Sequence, residues 1–271
     1  LRDDVAQVIG EAKRGGLTIG INTSGIPGSR EVYRRFMDAG LDRLTFSLDA
    51  ATAGVHDDLR PGAPWRRVIR NLEQAVAARN SHGFSTRIGT TTVLTRSNIQ
   101  EILPLVELRK EVGADWNSFQ PVWSSPSDRR FRERFGFTEA DAGLLGEARC
   151  ALRTVTNGNL EPYYEILPNL YGIVEQPGPQ RCFGGRAFIH IDSGGMLRPC
   201  SPLRFGFGSL LTAEMVSLLR SSHALRFFRW ADKGGCSGCS MTCYQERNLL
   251  LSTALVRPAH VFNQAIKRYF R

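Results

Sequence analysis

Five of the six cysteines in this 271-residue chain fall between positions 182 and 243, and the first 149 residues contain none. Three stand in Cys236-Ser237-Gly238-Cys239-Ser240-Met241-Thr242-Cys243. The two-residue spacer between Cys236 and Cys239 lets one tight turn direct two thiolates at a single centre. Cys182 and Cys200 are separated by a hairpin-like pair, Ala187–Asp192 and Met196–Arg198, around Ser193-Gly194-Gly195. Such clustering in a chain without a secretory pattern argues for metal before disulfides. Four thiolates suit tetrahedral zinc as well as a [4Fe–4S] cluster, and spacing alone does not choose between them. Cys150 lies among apolar residues at helical spacing, Leu145 and Leu152, and reads as a buried small hydrophobe.

A second set of polar groups recurs at regular intervals: Asn22 to Gly25, Ser47 with Asp49, Thr95 to Asn98, and Gln120. The elements around them explain the recurrence. Amphipathic helices at 5–13, 30–38, 65–79 and 99–111 each end near glycine and are each followed by a β-rich run, at 17–22, 44–49, 87–94 and 116–122. Parallel strands need a crossover, so four helix–strand units predict a parallel sheet with helices packed outside it. In such sheets functional groups gather at the C-terminal strand ends, where these polar residues stand, although each type also serves as a cap or turn. From Trp123 the pattern loosens into a polar insertion, a helix over 138–154 and a stretch ending at Pro177-Gly178-Pro179, which reads as a connection.

Composition narrows the class. With 42% hydrophobic and 23% charged residues, the chain is globular rather than disordered. No run approaches the ~18 apolar residues of a membrane-spanning helix, and Leu1-Arg2-Asp3-Asp4-Val5 lacks the build of a signal peptide, so the expected location is cytoplasmic. The net charge of +9 comes from arginines spread along the chain with acids between them, a distribution that does not mark a nucleic-acid binder. The densest cluster, Arg129, Arg130, Arg132 and Arg134, reads as a solvated face on a surface insertion.

The Cys182, Gly195, Cys200 spacing followed by Cys236-x-x-Cys239 resembles the auxiliary iron–sulfur domain of radical SAM enzymes, in its SPASM or shorter Twitch form. Phe207-Gly208-Ser209-Leu210 and Leu225-Arg226-Phe227-Phe228 are similar to that family's spacer. Thr45-Phe46-Ser47-Leu48-Asp49-Ala50, followed by His56-Asp57-Asp58-Leu59-Arg60, resembles a passage of radical SAM barrels, and Asn22-Thr23-Ser24-Gly25 and Val93 to Asn98 resemble neighbouring strand ends.

The resemblance implies an α/β protein. Residues 1–125 would form a partial radical SAM (β/α) barrel, 126–180 a connecting insertion and helix, and 181–271 a small Cys-rich α+β domain with a β-hairpin and a C-terminal helix. It implies S-adenosylmethionine bound by Asn22, Ser47, Asp49, Arg60 and Asn98. Hydroxyl and carboxylate groups suit ribose hydroxyls and an ammonium group. It also implies an auxiliary [4Fe–4S] cluster on Cys182, Cys200, Cys236 and Cys239, with Cys243 a fifth candidate. One cluster fits better than two, because the full SPASM pattern has seven cysteines.

The implied activity is that of an oxidoreductase or maturase generating a 5′-deoxyadenosyl radical to modify a peptide or small molecule. Flavodoxin or ferredoxin would serve as reductant, and the auxiliary cluster would accept an electron or anchor substrate. Ser201 occupies the position where sulfatase-maturating relatives carry a basic Asp, which disfavours that reaction. The family's Cys-x-x-x-Cys-x-x-Cys loop and Gly-Gly-Glu-Pro stretch do not occur in the chain. The expectation is therefore a chain missing its first strand–helix units and inactive as written. The alternative is a non-enzymatic, zinc- or cluster-stabilised module binding a peptide or RNA.

Overall fold

The computed structural model describes residues 2–122, 133–156, 181–236 and 241–256. The chain divides into two compact units, one of residues 1–122 with 129–136, the other of 123–128 with 137–271.

In the first unit the order is α1 (Val5–Arg14), β1 (Gly20–Thr23), α2 (Arg30–Asp38), β2 (Arg43–Ser47), α3 (Ala53–Leu59), α4 (Trp65–His82), β3 (Arg87–Leu94), α5 (Ile102–Val112, entered by a 3-10 turn at Ile99–Glu101) and β4 (Trp116–Pro121). The four strands pair in parallel in sequence order. This is the α/β sheet the helix–strand repeats predict, and it is consistent with a partial barrel. Gly83 and Gly113 close α4 and α5 at φ 68° and 78°, left-handed values that a side chain strains to adopt.

Period-two burial separates the two sides of the sheet. Leu44, Phe46, Ile88, Leu94 and Phe119 are fully buried, together with Leu72 of α4 and Leu105 of α5. Each such side chain contributes about 1.5–3 kcal/mol. The other side carries Asn22, Thr45, Ser47, Thr91, Ser118 and Gln120, which are half-buried or exposed. It is stopped at one end by an aromatic plate: the Trp116 indole lies across Gly89, where a Cβ would come within 2.3 Å of the ring, and the Arg87 guanidinium stacks on the same ring at 5.4 Å.

A repeated device starts the strands. Asp42, just before β2, accepts from the Ile19 N–H at 2.8 Å and pairs with Lys13 of α1. Asp115, just before β4, accepts from the Ile88 N–H at 2.6 Å and pairs with Arg79 of α4. Each carboxylate satisfies an N–H of the neighbouring chain segment while tying down the preceding helix.

The first strand differs from the sequence reading. Pairing begins at Gly20, and Leu17 is left 60% exposed. Among the described residues, β1 pairs only with β2. The short helix α3 has no apolar stripe to reveal it in the sequence, since only His56 of its residues is buried.

The second unit contains α6 (Ala142–Thr156), β5 (His190–Ile191), β6 (Met196–Arg198), β7 (Gly208–Ser209), α7 (Met215–Leu219), α8 (Ser222–Asp232) and α9 (Thr242–Val256). The expected hairpin forms between β5 and β6, and β7 adds a third antiparallel strand. Cys150 on α6 is exposed, which corrects the expectation of burial. The helix buries Leu145, Ala148 and Leu152, a three-and-four spacing that turns Cys150 to the other side.

Candidate functional site

The strand-end residues are sorted by the pleat. Asn22 pairs in register with Thr45, and Thr45 and Ser47 share a side of β2, so Asn22 and Ser47 both face the open, polar side of the sheet. Asp49 and Asn98 instead belong to a buried clasp behind the strand ends, 5% and 1% exposed. Asp49 accepts from the Val93 N–H at 2.9 Å and from Arg60 Nε at 2.7 Å. Asn98 Nδ2 donates to the carbonyls of Asp49 and Val93, and its oxygen accepts from the Thr95 N–H and hydroxyl. His56, wholly buried, completes the clasp. Its Nδ1 accepts from the Asp49 N–H at 3.1 Å, which leaves the Nε2 proton to donate to the Ala63 carbonyl at 3.0 Å. Burial pushes the His56 pKa down, the hydrogen bond to Ala63 opposing it.

The five expected cofactor residues thus split. Asn22 and Ser47 face the open side of the sheet, their side chains making no hydrogen bond among the described residues, whereas Asp49, Arg60 and Asn98 hold β2, β3 and the loops after them in place. His56, part of the barrel-like passage, takes its role from its position between the Asp49 and Ala63 backbones.

In the second unit, Cys182 and Cys200 lie buried in the hydrophobic core formed with Phe188, Leu197, Phe207, Phe227 and Tyr244, and Cys236 packs against it. Cys182 and Cys236 are in side-chain hydrogen-bond contact, and Cys200 lies within electrostatic reach of both Cys182 and Cys243. Cys243 opens α9 and is exposed. Cys239 lies outside the described residues. Among the described residues, no three of His, Cys, Asp and Glu are grouped as around one metal ion.

The two buried thiols have opposite environments. The Cys182 thiol is drawn down to about 6 by Cys236, the Gly184 N–H at 3.4 Å, the Asn248 side chain and the Arg186 charge, against the effect of burial. Burial pushes the Cys200 thiol up, and negative charge on Cys182 or Cys243 adds to the rise. Arg186 is held by a forked pair to Asp232 at 2.6 and 2.8 Å and lies over the Phe228 ring at 4.6 Å.

Tyr244 binds the cysteine-bearing segments together. Its hydroxyl accepts from the Ser201 N–H at 2.9 Å and donates to Ser201 Oγ at 3.0 Å, tying the residue after Cys200 to the residue after Cys243. Tyr244 and Asn248 are not among the candidates the cysteine spacing points to. The cue for Asn248 is a lone amide heading the apolar run Leu249-Leu250-Leu251 on the helix that carries Cys243.

A parallel α/β sheet with a polar side, followed in the same chain by a thiol-rich α+β unit, gathers polar groups at its strand ends, and its function is read from the site and from relatives. Comparison with known proteins supplies the relatives. The family model of the Radical SAM superfamily matches residues 1–108. The chain is 27% identical over 256 residues to the AdoMet-dependent heme synthase of Methanosarcina barkeri, covering 88% of this chain and 71% of that protein. It is 24% identical to the AdoMet-dependent heme synthase of Nitratidesulfovibrio vulgaris, covering 88% and 68%. Residues 1–108 are thus similar to the radical SAM superfamily, and the likeness to the heme synthases indicates an enzyme.

Solved structures similar in fold include Streptococcus suis SuiB (TM-score 0.58, 14% identity, 84% of this chain and 54% of that one). Another is anSMEcpe with bound AdoMet and a peptide (TM-score 0.54, 13% identity, 79% and 60%). The chain therefore spans little more than half the length of these solved structures.

Proposed function

We propose that this chain supplies the cofactor-facing sheet and an auxiliary cluster domain of a radical SAM oxidoreductase or maturase, acting on a peptide or small-molecule substrate with flavodoxin or ferredoxin as reductant. The observation that carries the reading is the convergence of Cys182, Cys200 and Cys236 on one apolar core, with a backbone N–H aimed at a thiol sulfur. That donor set fits an iron–sulfur centre, whose thiolates are stabilised by N–H donors and a dry surround. Cys182, Cys200, Cys236 and Cys239 would hold one [4Fe–4S] cluster, with Cys243 the fifth candidate. When bound, the cluster supplies one-electron acceptance or a site for substrate attachment.

The chain's own residues do the rest. Asn22 and Ser47 offer an amide and a hydroxyl to the ribose and aminocarboxyl groups of S-adenosylmethionine. Asp49, Arg60, Asn98 and His56 keep the rim that positions them. Peptide substrates are supported by the peptide-bound structural relative, and small-molecule substrates by the heme synthases.

The test is iron and acid-labile sulfide content after anaerobic purification. Cys182→Ala, Cys200→Ala, Cys236→Ala and Cys239→Ala should each lose iron, and Cys150→Ala should keep it. Equal loss in Cys150→Ala, or zinc in place of iron in the unaltered chain, overturns the reading.

A further inference from the structure

Helix α8 has two unlike sides. Ala224, Phe227 and Ala231 are buried in the core of the second unit, with Phe228 half-buried beside them. The same three-and-four spacing leaves Leu225, Arg226, Arg229 and Trp230 exposed on the opposite side, and Lys233, just past the helix, is exposed as well. Among the described residues, the guanidinium groups of Arg226 and Arg229 have no ion-pair or hydrogen-bond partner. The one acidic residue of the helix, Asp232, is neutralised from elsewhere, by Arg186 at 2.6 and 2.8 Å and by Arg181 at 3.1 Å. The outer face is therefore basic with apolar flanks, Leu225 at 49% and Trp230 at 45% exposure. Arginine and tryptophan together are the make-up that protein interfaces favour. Trp230 also ties this face to the thiols. Its indole lies on Gly235, where an added Cβ would come within 2.2 Å of Nε1, and the next residue, Cys236, packs against the core. Phe227, 5.6 Å away, backs the indole from the inner side.

We propose that this face of α8 is the docking surface for a small acidic one-electron carrier protein, which delivers its electron beside Cys236, a role that rests on the reading of Cys236 as a cluster ligand. Unpaired arginines set the sign of the partner. One helix face offers a small contact, on the scale of transient redox encounters rather than permanent assemblies. Opposite charges across such a contact speed the encounter and set which partner is accepted, and a small contact lets the spent carrier leave. In the step itself, one electron leaves the reduced flavin or iron–sulfur centre of the carrier and enters the oxidised cluster. The carrier ends one electron oxidised and the cluster one electron reduced, and no bond is made or broken.

The test uses the full chain with its cluster reconstituted, and an acidic, FMN-loaded flavodoxin as the probe. Arg226→Glu combined with Arg229→Glu should weaken flavodoxin binding, read by titration calorimetry, about tenfold or more. It should slow cluster reduction by reduced flavodoxin, read by stopped flow, by a similar factor. Reduction by photoreduced deazariboflavin, a small uncharged reductant, should keep its rate. A charge-matched pair on the other unit, Arg66→Glu with Arg70→Glu at exposed positions of α4, should bind and react as the unaltered chain does. Arg226→Gln with Arg229→Gln removes the charges without reversing them and should lose affinity to a smaller degree.

Equal weakening by the two glutamate pairs would show overall charge at work rather than α8, and overturns the proposal. Unchanged flavodoxin binding in Arg226→Glu with Arg229→Glu overturns it as well. So does tighter binding of a single-stranded RNA oligonucleotide than of flavodoxin, lost in the same pair, which would assign the face to nucleic acid. Should the glutamate pair fail to fold, the glutamine pair decides by the same criteria. None of these results touches the cluster reading, since iron content is measured on each protein first. An unaltered chain that takes up no iron removes that reading, and electron delivery at Cys236 with it.

Discussion

His56 shows how a residue can be diagnostic of a site without touching a ligand. Its ring bridges two backbones in the clasp that carries Asp49, and the bridge works only with Nδ1 unprotonated, because that atom accepts a hydrogen bond. The folded state therefore holds His56 neutral below the ordinary histidine value of about 6.5, whereas the unfolded chain titrates there. Folding stability from this group is complete above about pH 6.5. It declines as pH falls toward the lowered folded value, by up to about 1.4 kcal/mol per pH unit. Urea denaturation at pH 7, 6 and 5 should show this slope in the unaltered chain. His56→Asn, which keeps an acceptor but does not titrate, should lose it, and parallel slopes for the two proteins would contradict the tautomer assignment. The cysteines were legible in the sequence because type and spacing together carry their chemistry. Asn248 and Tyr244 were not, because a single buried polar side chain has no spacing to announce it, and its partners, Phe183 and Ser201, are far away along the chain.

At the scale of elements, the strands with β-branched alternation were read closest. Arg87–Leu94 appears with the same bounds in structure and sequence, since its Thr and Val residues suit a pleated, half-buried surface. Leu17 looked equally strand-like, but pairing starts three residues later, where Gly20 comes into register with Arg43. Apolarity marked the segment, and Asp42 set where its pairing begins. The two-residue strand β7 is too short for any periodicity to register.

Two glycines make the packing argument testable. Gly89→Ala places a methyl against the Trp116 ring and should cost about 1–3 kcal/mol. Gly54→Ala, in α3 with nothing within 4 Å of the added carbon, should be neutral or stabilise by up to about 1 kcal/mol. Denaturant midpoints of the two variants should move in opposite directions or differ by more than 1 kcal/mol. Equal shifts would place the indole elsewhere.

For the whole molecule, the decisive fact is the distribution of thiols. The described residues 2–122 of the sheet unit contain no cysteine, and all five late cysteines lie in the other unit. A cluster fully ligated by four protein thiolates has no iron left open to chelate S-adenosylmethionine. The chain by itself, reconstituted and given dithionite and S-adenosylmethionine, should therefore release no 5′-deoxyadenosine above background. Catalytic release would show that the cofactor chemistry belongs to the late cysteines after all. Among the described residues, no helix is long and apolar enough to cross a membrane. The aromatic plate of Trp116 on Gly89 also acts as a ruler. From that floor to the register of Val93 and Gln120 is four residues of β3, a depth of about 13 Å at strand rise. On the proposed reading, a cofactor lying along this side of the sheet from the C-terminal edge would meet the indole at that depth. Shortening the side chain at position 116 would then lengthen the molecule that side could take.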